Sequence, residues 1–229
     1  MHTRTHARRL VLGVVSAAAL TGAMVISAPA KAATSLTLTT ADRPLDVPSD
    51  VALEPYTGFN QGWWSLEYGH DSDGYDNTNV ATGFSEETGV TRSFFTFHLG
   101  KVTRTVTSAT LRLPRGCATS EDSSELVKLW DVTTPAVALN RGTAPAESTF
   151  RDIGGGREYG RATVSTAAGG SAELRVKLNA TAVAALNAGR GSRYFSVGAA
   201  VMTLNKRSGD ELVFGCTGDV PASLVVTTR

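Results

Sequence analysis

The chain has 229 residues, with 22 basic and 21 acidic side chains and a formal net charge of +1. This near balance, with no basic cluster beside an aromatic platform, argues against a nucleic-acid partner. The length is enough for one sizeable hydrophobic core, and β-sandwiches of this size are commonly single domains.

The N-terminal segment has the three parts of a secretory signal peptide. It begins with arginines, continues through a mostly apolar run over residues 10–26, and ends in a small-x-small cleavage motif at Ala32. We therefore assign residues 1–32 to a signal peptide and residues 33–229 to a single extracellular domain. A membrane anchor is the alternative, but the run is short and rich in Ala and Gly, so no membrane span is predicted after its removal. An Arg-Arg pair at residues 8–9 leaves twin-arginine export open beside general secretion.

The predicted mature chain is slightly acidic and carries two cysteines. Removal of the leader leaves 18 basic and 21 acidic residues, a formal net charge of −3. Cys117 and Cys216 each follow a strand-like run and a glycine. Because exported thiols are usually paired, we predict a disulfide between them, with two free thiols as the alternative.

The first predicted strand is Ser35–Thr40, in which Leu36 and Leu38 alternate with Ser and Thr. Residues 42–55 contain three prolines, which cannot donate to a strand ladder, so this stretch is predicted to run over the surface.

An aromatic stretch, YTGFNQGWWSLEY, follows at Tyr56–Tyr68. Adjacent strand residues point to opposite faces, so at most one of Trp63 and Trp64 is expected in the core, while the other lies towards solvent or a covering loop. An exposed indole beside Tyr68 or Tyr75 would stack on a sugar ring, with His70 as a polar neighbour. The alternative is that these aromatic residues close the end of the sandwich.

Residues 70–79, HDSDGYDNTN, form the most polar loop of the chain. Carboxylate and amide oxygens are the ligands that calcium prefers, and this loop offers them at Asp71, Asp73, Asp76 and Asn77. The spacing does not match an EF-hand, and a solvated turn is the alternative. No other cofactor is predicted.

Thr91–Leu113 contains the clearest pair of strands. Alternation places one set of apolar side chains on a common buried face: Phe95, Phe97, Leu99, Ala109, Leu111 and Leu113. His98 falls on the opposite face. With no second ligand residue at metal-binding spacing nearby, we predict that it is a hydrogen-bonded surface histidine.

The following segment connects two halves of the predicted sandwich. Glu125–Val132 reads as a strand, and Pro135–Thr149 as a long connection. It leads to FRDIGGGREYG at Phe150–Gly160, where three glycines allow a sharp turn and the flanking apolar residues pin it to a core. We interpret this crossing as structural.

The second half repeats the strand pattern around one short helix. Ser171–Leu178 alternates apolar and charged residues, and Asn179 is a typical N-cap for a helix over Ala180–Ala188. Three further strands are predicted at Arg193–Thr203, Glu211–Cys216 and Ala222–Thr228. Many short strands and one short helix predict an all-β fold, a jelly-roll-like antiparallel β-sandwich.

Several sequence motifs, taken together, resemble those of a known family. RSFFTFHLG, VTSATLRL and LVKLWDVTT follow one another in the first half, and FRDIGGGREYG and KLNATAVAALN in the second. This order resembles a family of secreted bacterial β-sandwich proteins, with strand motifs related to DNRLRE-type modules of exported proteins. Some of those modules look like carbohydrate-binding modules, so the resemblance implies a sandwich, secretion and, by analogy, glycan binding.

The leading functional prediction is a secreted, non-catalytic protein that binds an extracellular polysaccharide or cell-wall glycan. The sequence has no G-x-S-x-G, no H-E-x-x-H and no zinc-type Cys/His spacing, so we predict that it is not an enzyme. An extracellular hydrolase acting on glycan or ester substrates remains one alternative, using carboxylates such as Glu67, Glu86 and Glu87. A structural protein of the cell or spore surface is the other, and the sequence leaves the oligomeric state open.

Overall fold

The computed structural model of the chain describes residues 32–42, 45, 59–70, 80–116, 118–166, 173–190, 194–205, 209–214 and 220–229. The strands in these residues are β1 Thr34–Thr39, β2 Gln61–Ser65, β3 Gly69–His70, β4 Thr82–Ser85, β5 Gly89–His98, β6 Val106–Leu113, β7 Ser124–Asp131, β8 Glu158–Ser165, β9 Leu174–Lys177, β10 Tyr194–Val201, β11 Glu211–Phe214 and β12 Ser223–Thr228. The helices are α1 Ala136–Asn140, α2 Ala146–Ile153 and α3 Ala180–Ala188, with a 3-10 turn at Leu99–Lys101.

The strands form two antiparallel sheets that face each other. The smaller sheet has the strand order β1-β12-β6-β9. The larger sheet has the order β11-β4-β5-β10-β7-β8, with β2 paired to β5 and β3 paired to β2. The predicted all-β antiparallel sandwich is therefore confirmed. Residues Ala32–Arg229 form one compact unit.

The main core lies between the two sheets and follows the period-two alternation of the strands. Leu111 of β6 in the smaller sheet and Phe97 and Val197 of the larger sheet are fully buried in it. The inward positions predicted for the Thr91–Leu113 pair are all buried. This agreement is expected, because a one-residue slip would turn the whole apolar set towards water.

Helix α3 closes part of this core in the way its sequence predicts. The Asn179 side chain accepts a hydrogen bond from the backbone nitrogen of Ala182 at 3.0 Å, which is an N-cap interaction. Ala182 and Leu186 are fully buried against the strands. A nine-residue helix is marginal alone, so this docking is what stabilises it.

The outer face of the larger sheet carries a layer that the sequence did not reveal. The segment predicted as a long connection, Pro135–Thr149, contains α1 and the start of α2, so the expectation of a single short helix is incomplete. Both helices are too short to be stable alone, and they form because their apolar residues dock on the sheet. A second hydrophobic cluster lies beneath them, formed by Trp64, Phe94, Leu139, Phe150 and Ile153.

Close approach between α2 and β10 requires a residue without a side chain. At Gly198 an added Cβ would lie 2.0 Å from the carbonyl oxygen of Ile153, at the end of α2. Glycine is therefore needed here for the approach of two backbones, and its φ angle is not the reason.

Candidate functional site

Both tryptophans of the predicted sugar-binding pair are buried. Trp63 is 8% exposed and Trp64 is 1% exposed. Trp64 packs in the cluster beneath the two outer helices, and its Nε1 donates a hydrogen bond to the carbonyl oxygen of Leu139 at 3.3 Å. The expectation that at most one of the pair is core is wrong, because the larger sheet is packed on both faces. Neither indole offers an exposed face for stacking.

His70 also packs against this cluster. Its ring lies edge-on to Trp64, with centroids 5.2 Å apart, and 6.1 Å from the ring of Phe94. Gly142 lies beside it with a φ of +65°, and a Cβ there would come within 2.9 Å of the His70 Cβ. The imidazole is therefore used in packing between the β2–β3 hairpin and the loop after α1.

The tip of the β2–β3 hairpin, residues 66–68, carries the exposed side chains of this region. Leu66 is 57% exposed and Tyr68 is 50% exposed. The tip is held in place, because the backbone nitrogen of Tyr68 donates to the Oγ of buried Ser65 at 2.9 Å. Of the predicted ligand-binding residues that the structure describes, Tyr68 is the one with an exposed aromatic ring.

The remaining predicted site residues lie outside the described residues. These are Tyr75 and the calcium candidates Asp71, Asp73, Asp76 and Asn77, together with the two cysteines, Cys117 and Cys216. The calcium site and the disulfide stay predictions. Near the cysteines, the chain at Thr119 pairs with Leu212 through two backbone hydrogen bonds of 2.8 and 2.7 Å. These two paired residues lie two and four positions from Cys117 and Cys216 in the sequence.

No group of three or more His, Cys, Asp or Glu side chains in the part of the chain that the structure describes is placed to hold a metal ion. Among the carboxylates considered for hydrolysis, Glu67 lies on the hairpin tip, whereas Glu86 and Glu87 lie in the turn between β4 and β5. All three are exposed. Each carboxylate is therefore solvated, and none of the three is held in an enclosed site.

His98, which the sequence predicts to lie on the surface, is buried. Its Nδ1 accepts a hydrogen bond from the backbone nitrogen of Gly100 at 3.2 Å, and its ring lies edge-on to Tyr194. The predicted hydrogen bonding is present, but the exposure is not. The histidine therefore caps the 3-10 turn after β5.

Arg92 is a partly buried cation on the outer face of β5. Its Nη1 donates to the carbonyl oxygen of Phe150 at 2.7 Å, and its guanidinium lies 4.1 Å from the centroid of the Phe150 ring. A Cβ at Gly154 would come within 2.4 Å of the guanidinium carbon. Burial lowers the pKa of Arg92 from its usual value. The first of the three consecutive glycines thus makes room for this side chain.

The third glycine makes room for a second polar contact. Gly156 has a φ of +86°, and a Cβ there would lie 2.5 Å from the Oδ1 of Asp131. The same carboxylate accepts hydrogen bonds from the backbone nitrogen and the Nε of Arg157, at 2.6 and 2.8 Å. Burial and the Asp131 charge raise the pKa of neighbouring Tyr159. These contacts fix the turn into β8, in agreement with the structural interpretation of the triglycine crossing.

Asp152 fastens the loop after β7 to α2, and this contact provides a stability prediction. Its carboxylate accepts hydrogen bonds from the backbone nitrogens and hydroxyls of Thr133 and Thr134, at 2.7 to 2.9 Å. We expect Asp152→Ala to lower the free energy of unfolding by about 2 kcal/mol in urea denaturation, because hydrogen bonds to charged groups contribute more than neutral ones. Glu147→Ala on the same helix is the control.

Glu147 is exposed and pairs only with exposed Arg151 among the described residues, at 2.5 Å. Such surface pairs contribute roughly 0.5 kcal/mol, so this variant should unfold almost like the wild type. Equal losses for the two variants would contradict a specific role for Asp152.

Besides Asp131, two buried carboxylates are not indicated as such by the sequence analysis. Glu125 of β7 is fully buried, accepts a hydrogen bond from Ser120 Oγ at 2.7 Å, and is also bonded by the Thr203 hydroxyl. Glu211 of β11 is buried too, and accepts from the backbone nitrogen of Asn205 at 3.0 Å. The sequence feature that could have indicated these two residues is a glutamate at the start of each predicted strand. Hydroxyl and amide donors satisfy these groups, as buried polar atoms require.

No protein-family model matches the chain, and no curated protein is significantly similar to it. The helices in the described ranges include none that has both the length and the apolar character needed to cross a membrane. The resemblance to DNRLRE-type modules therefore stays a prediction that rests on the strand phrases quoted above. One fold serves many functions, so the function of this chain depends on its surface residues and not on the sandwich alone.

Proposed function

We propose that the chain is a secreted, non-catalytic β-sandwich protein that binds polysaccharide or cell-envelope glycan at the hairpin tip. The observation that carries this proposal is the half-exposed ring of Tyr68 on a tip anchored by buried neighbours. A tyrosine ring presents an apolar face and a hydroxyl, which suits the mixed apolar and polar surface of a sugar.

Rigid support favours binding by this tip. Trp64 and His70 are paired across the hairpin and pack beneath α1 and α2, so the tip projects from a fixed base. Preorganised contacts cost less conformational entropy when a ligand binds. Exposed Leu66 adds apolar area beside the tyrosine.

The hydrolase alternative has less support. His70, one of the two histidines that follow the predicted leader, is engaged in ring packing with Trp64 and Phe94. Its imidazole also packs against the loop at Gly142, and these contacts support a structural role for the side chain. Binding without chemistry needs only the exposed tip.

Tyr68→Ala tests the proposal. We expect it to weaken retention on the matrix that holds the wild type, among chitin, cellulose and peptidoglycan, by about three- to tenfold, since aromatic contacts contribute roughly 0.5–1.5 kcal/mol. Tyr68→Phe retains the ring and should bind nearly normally. Met202→Ala, which removes an exposed apolar residue at the end of β10, should have no effect.

Equal retention of Tyr68→Ala and Met202→Ala would reject the hairpin tip as the site. Negligible retention of the wild type on every matrix would reject glycan binding altogether and favour the structural surface-protein alternative. Turnover of glycan or ester substrates that is lost in His70→Ala would favour the hydrolase.

A further inference from the structure

The outer face of the smaller sheet carries an unfavourable pair of like charges. The strand register places Arg112 of β6 directly opposite Arg175 of β9, and Lys177 lies two residues further along β9. Directly opposite Cβ atoms are about 5 Å apart in an antiparallel pair, and like charges there are destabilising. Local conflicts of this kind in an otherwise consistent fold are expected at functional sites.

The two arginines of this pair differ in their partners. Arg175 Nε forms an ion pair with Glu173 at 2.6 Å. Arg112 belongs to none of the ion pairs among the described residues, and its Nε is buried without a hydrogen-bond partner. Arg115 donates one Nη2 hydrogen bond to the carbonyl oxygen of Ser165 at 2.5 Å, but its Nε is likewise buried and unbonded. Buried donors without a hydrogen-bond partner lower the free energy of unfolding unless a ligand or water accepts from them.

A cavity joins the two arginines. Its volume is about 260 Å³, and it is lined by Arg112, Pro114, Arg115, Glu173, Val220 and Pro221. Pockets for larger ligands measure about 300–1,000 Å³, so this one suits a single acidic sugar residue of a longer chain. Val220 is half exposed and supplies an apolar wall beside the cations.

We propose that this cavity binds the carboxylate-bearing sugar of an acidic polysaccharide. The guanidinium groups of Arg112 and Arg115 match the planar geometry of a carboxylate and donate charge-assisted hydrogen bonds to it. Val220 and Pro221 contact the apolar face of the sugar ring. Glu173 on the cavity wall disfavours a more highly charged phosphate group. The site lies on other strands than the hairpin tip, so it goes beyond the function proposed above.

Affinity electrophoresis in gels containing polygalacturonate tests this site. The wild type should be retarded by polygalacturonate, retarded less by polyphosphate, and not retarded by neutral dextran. We expect Arg112→Gln and Arg115→Gln each to weaken polygalacturonate binding about tenfold, which is the range for one charge-assisted hydrogen bond.

Arg190→Gln is the matched control. It removes the same charge near the opposite end of β6, where Arg190 donates to the hydroxyl of Thr105. It should bind polygalacturonate within about twofold of the wild type, because a screened charge at that distance adds little. Tyr68→Ala should also bind polygalacturonate normally, so failure at one site is distinguishable from failure at the other.

Three outcomes would overturn the proposal. These are wild-type binding by both Arg112→Gln and Arg115→Gln, equal weakening by Arg190→Gln, and tighter binding of polyphosphate than of polygalacturonate. Arg112→Gln should also unfold at the same temperature as the wild type or slightly higher, because it removes a like-charge pair. If that variant does not fold, Arg115→Gln decides the result.

Discussion

Gly198→Ala should lower the free energy of unfolding by about 3 kcal/mol, which is the upper part of the range for overpacked sites. The added Cβ would lie 2.0 Å from the carbonyl oxygen and 2.9 Å from the Cα of Ile153. These are backbone atoms, so no side-chain rotation relieves the contact. Helix α2 must move away from β10, and the cluster that contains Trp64 and Phe150 must loosen with it. Urea denaturation measures the loss.

Gly209→Ala is the control for this prediction. Gly209 has a φ of +69° and no atom within 4 Å of its ideal Cβ position. Its substitution therefore costs only the strain of a left-handed backbone, about 1 kcal/mol. A loss for Gly198→Ala no larger than that for Gly209→Ala would contradict the close docking of α2 on the sheet.

Trp64→Ala is expected to be at least as destabilising as Gly198→Ala. It should lower the free energy of unfolding by about 3–5 kcal/mol, which is the range for large buried aromatic residues. The substitution empties the centre of the outer cluster and removes the hydrogen bond to the Leu139 carbonyl oxygen. His70 also loses its edge-on partner. Because α1 is only five residues long, it has little stability without this contact. Denaturant unfolding and near-ultraviolet circular dichroism report the two effects.

Trp130→Ala provides the matched comparison. Trp130 is partly exposed on β7, and Lys128 Nζ lies 5.4 Å from the centroid of its ring. Its removal forfeits a weak cation–π contact and partial burial, for an expected loss of about 1 kcal/mol. Similar losses for the two tryptophans would show that the outer cluster contributes little to the free energy of unfolding.

The sandwich could be predicted because the alternation of apolar and polar residues shows which face of each strand is buried. Leu111 and Leu113 alternate with polar residues, and this period of two fixes which face meets the opposite sheet. Helix α3 could be predicted as well, because Asn179 provides a local start signal. Both signals lie within a few residues of the structure that they specify.

The outer helices could not be predicted in the same way. Residues 135–149 contain prolines and no long apolar period, and α1 has only five residues. Their helical form depends on docking against Trp64 and Phe94, which are distant in sequence. The burial of Trp64 follows from this unseen layer, because alternation alone does not say that the second face of the sheet is covered.

The candidate sites depend even more on tertiary pairing. The aromatic stretch lies on the β2–β3 hairpin, but only packing decides that Tyr68 is exposed while Trp63 and Trp64 are not. Arg112 and Arg175 are 63 positions apart, and their opposition requires the register of β6 with β9. No local pattern around either arginine indicates the other.

The pairing of β1 with β12 has a consequence for engineering. Thr34 lies opposite Thr228, and the Thr228 hydroxyl donates to the carbonyl oxygen of Thr34 at 3.3 Å. The first and last strands thus bring both ends of the sandwich to one edge of the smaller sheet. A short peptide linker between these two ends would permit circular permutation. A host protein could also accept the domain as an insertion, because the two host residues that flank it could stay close together.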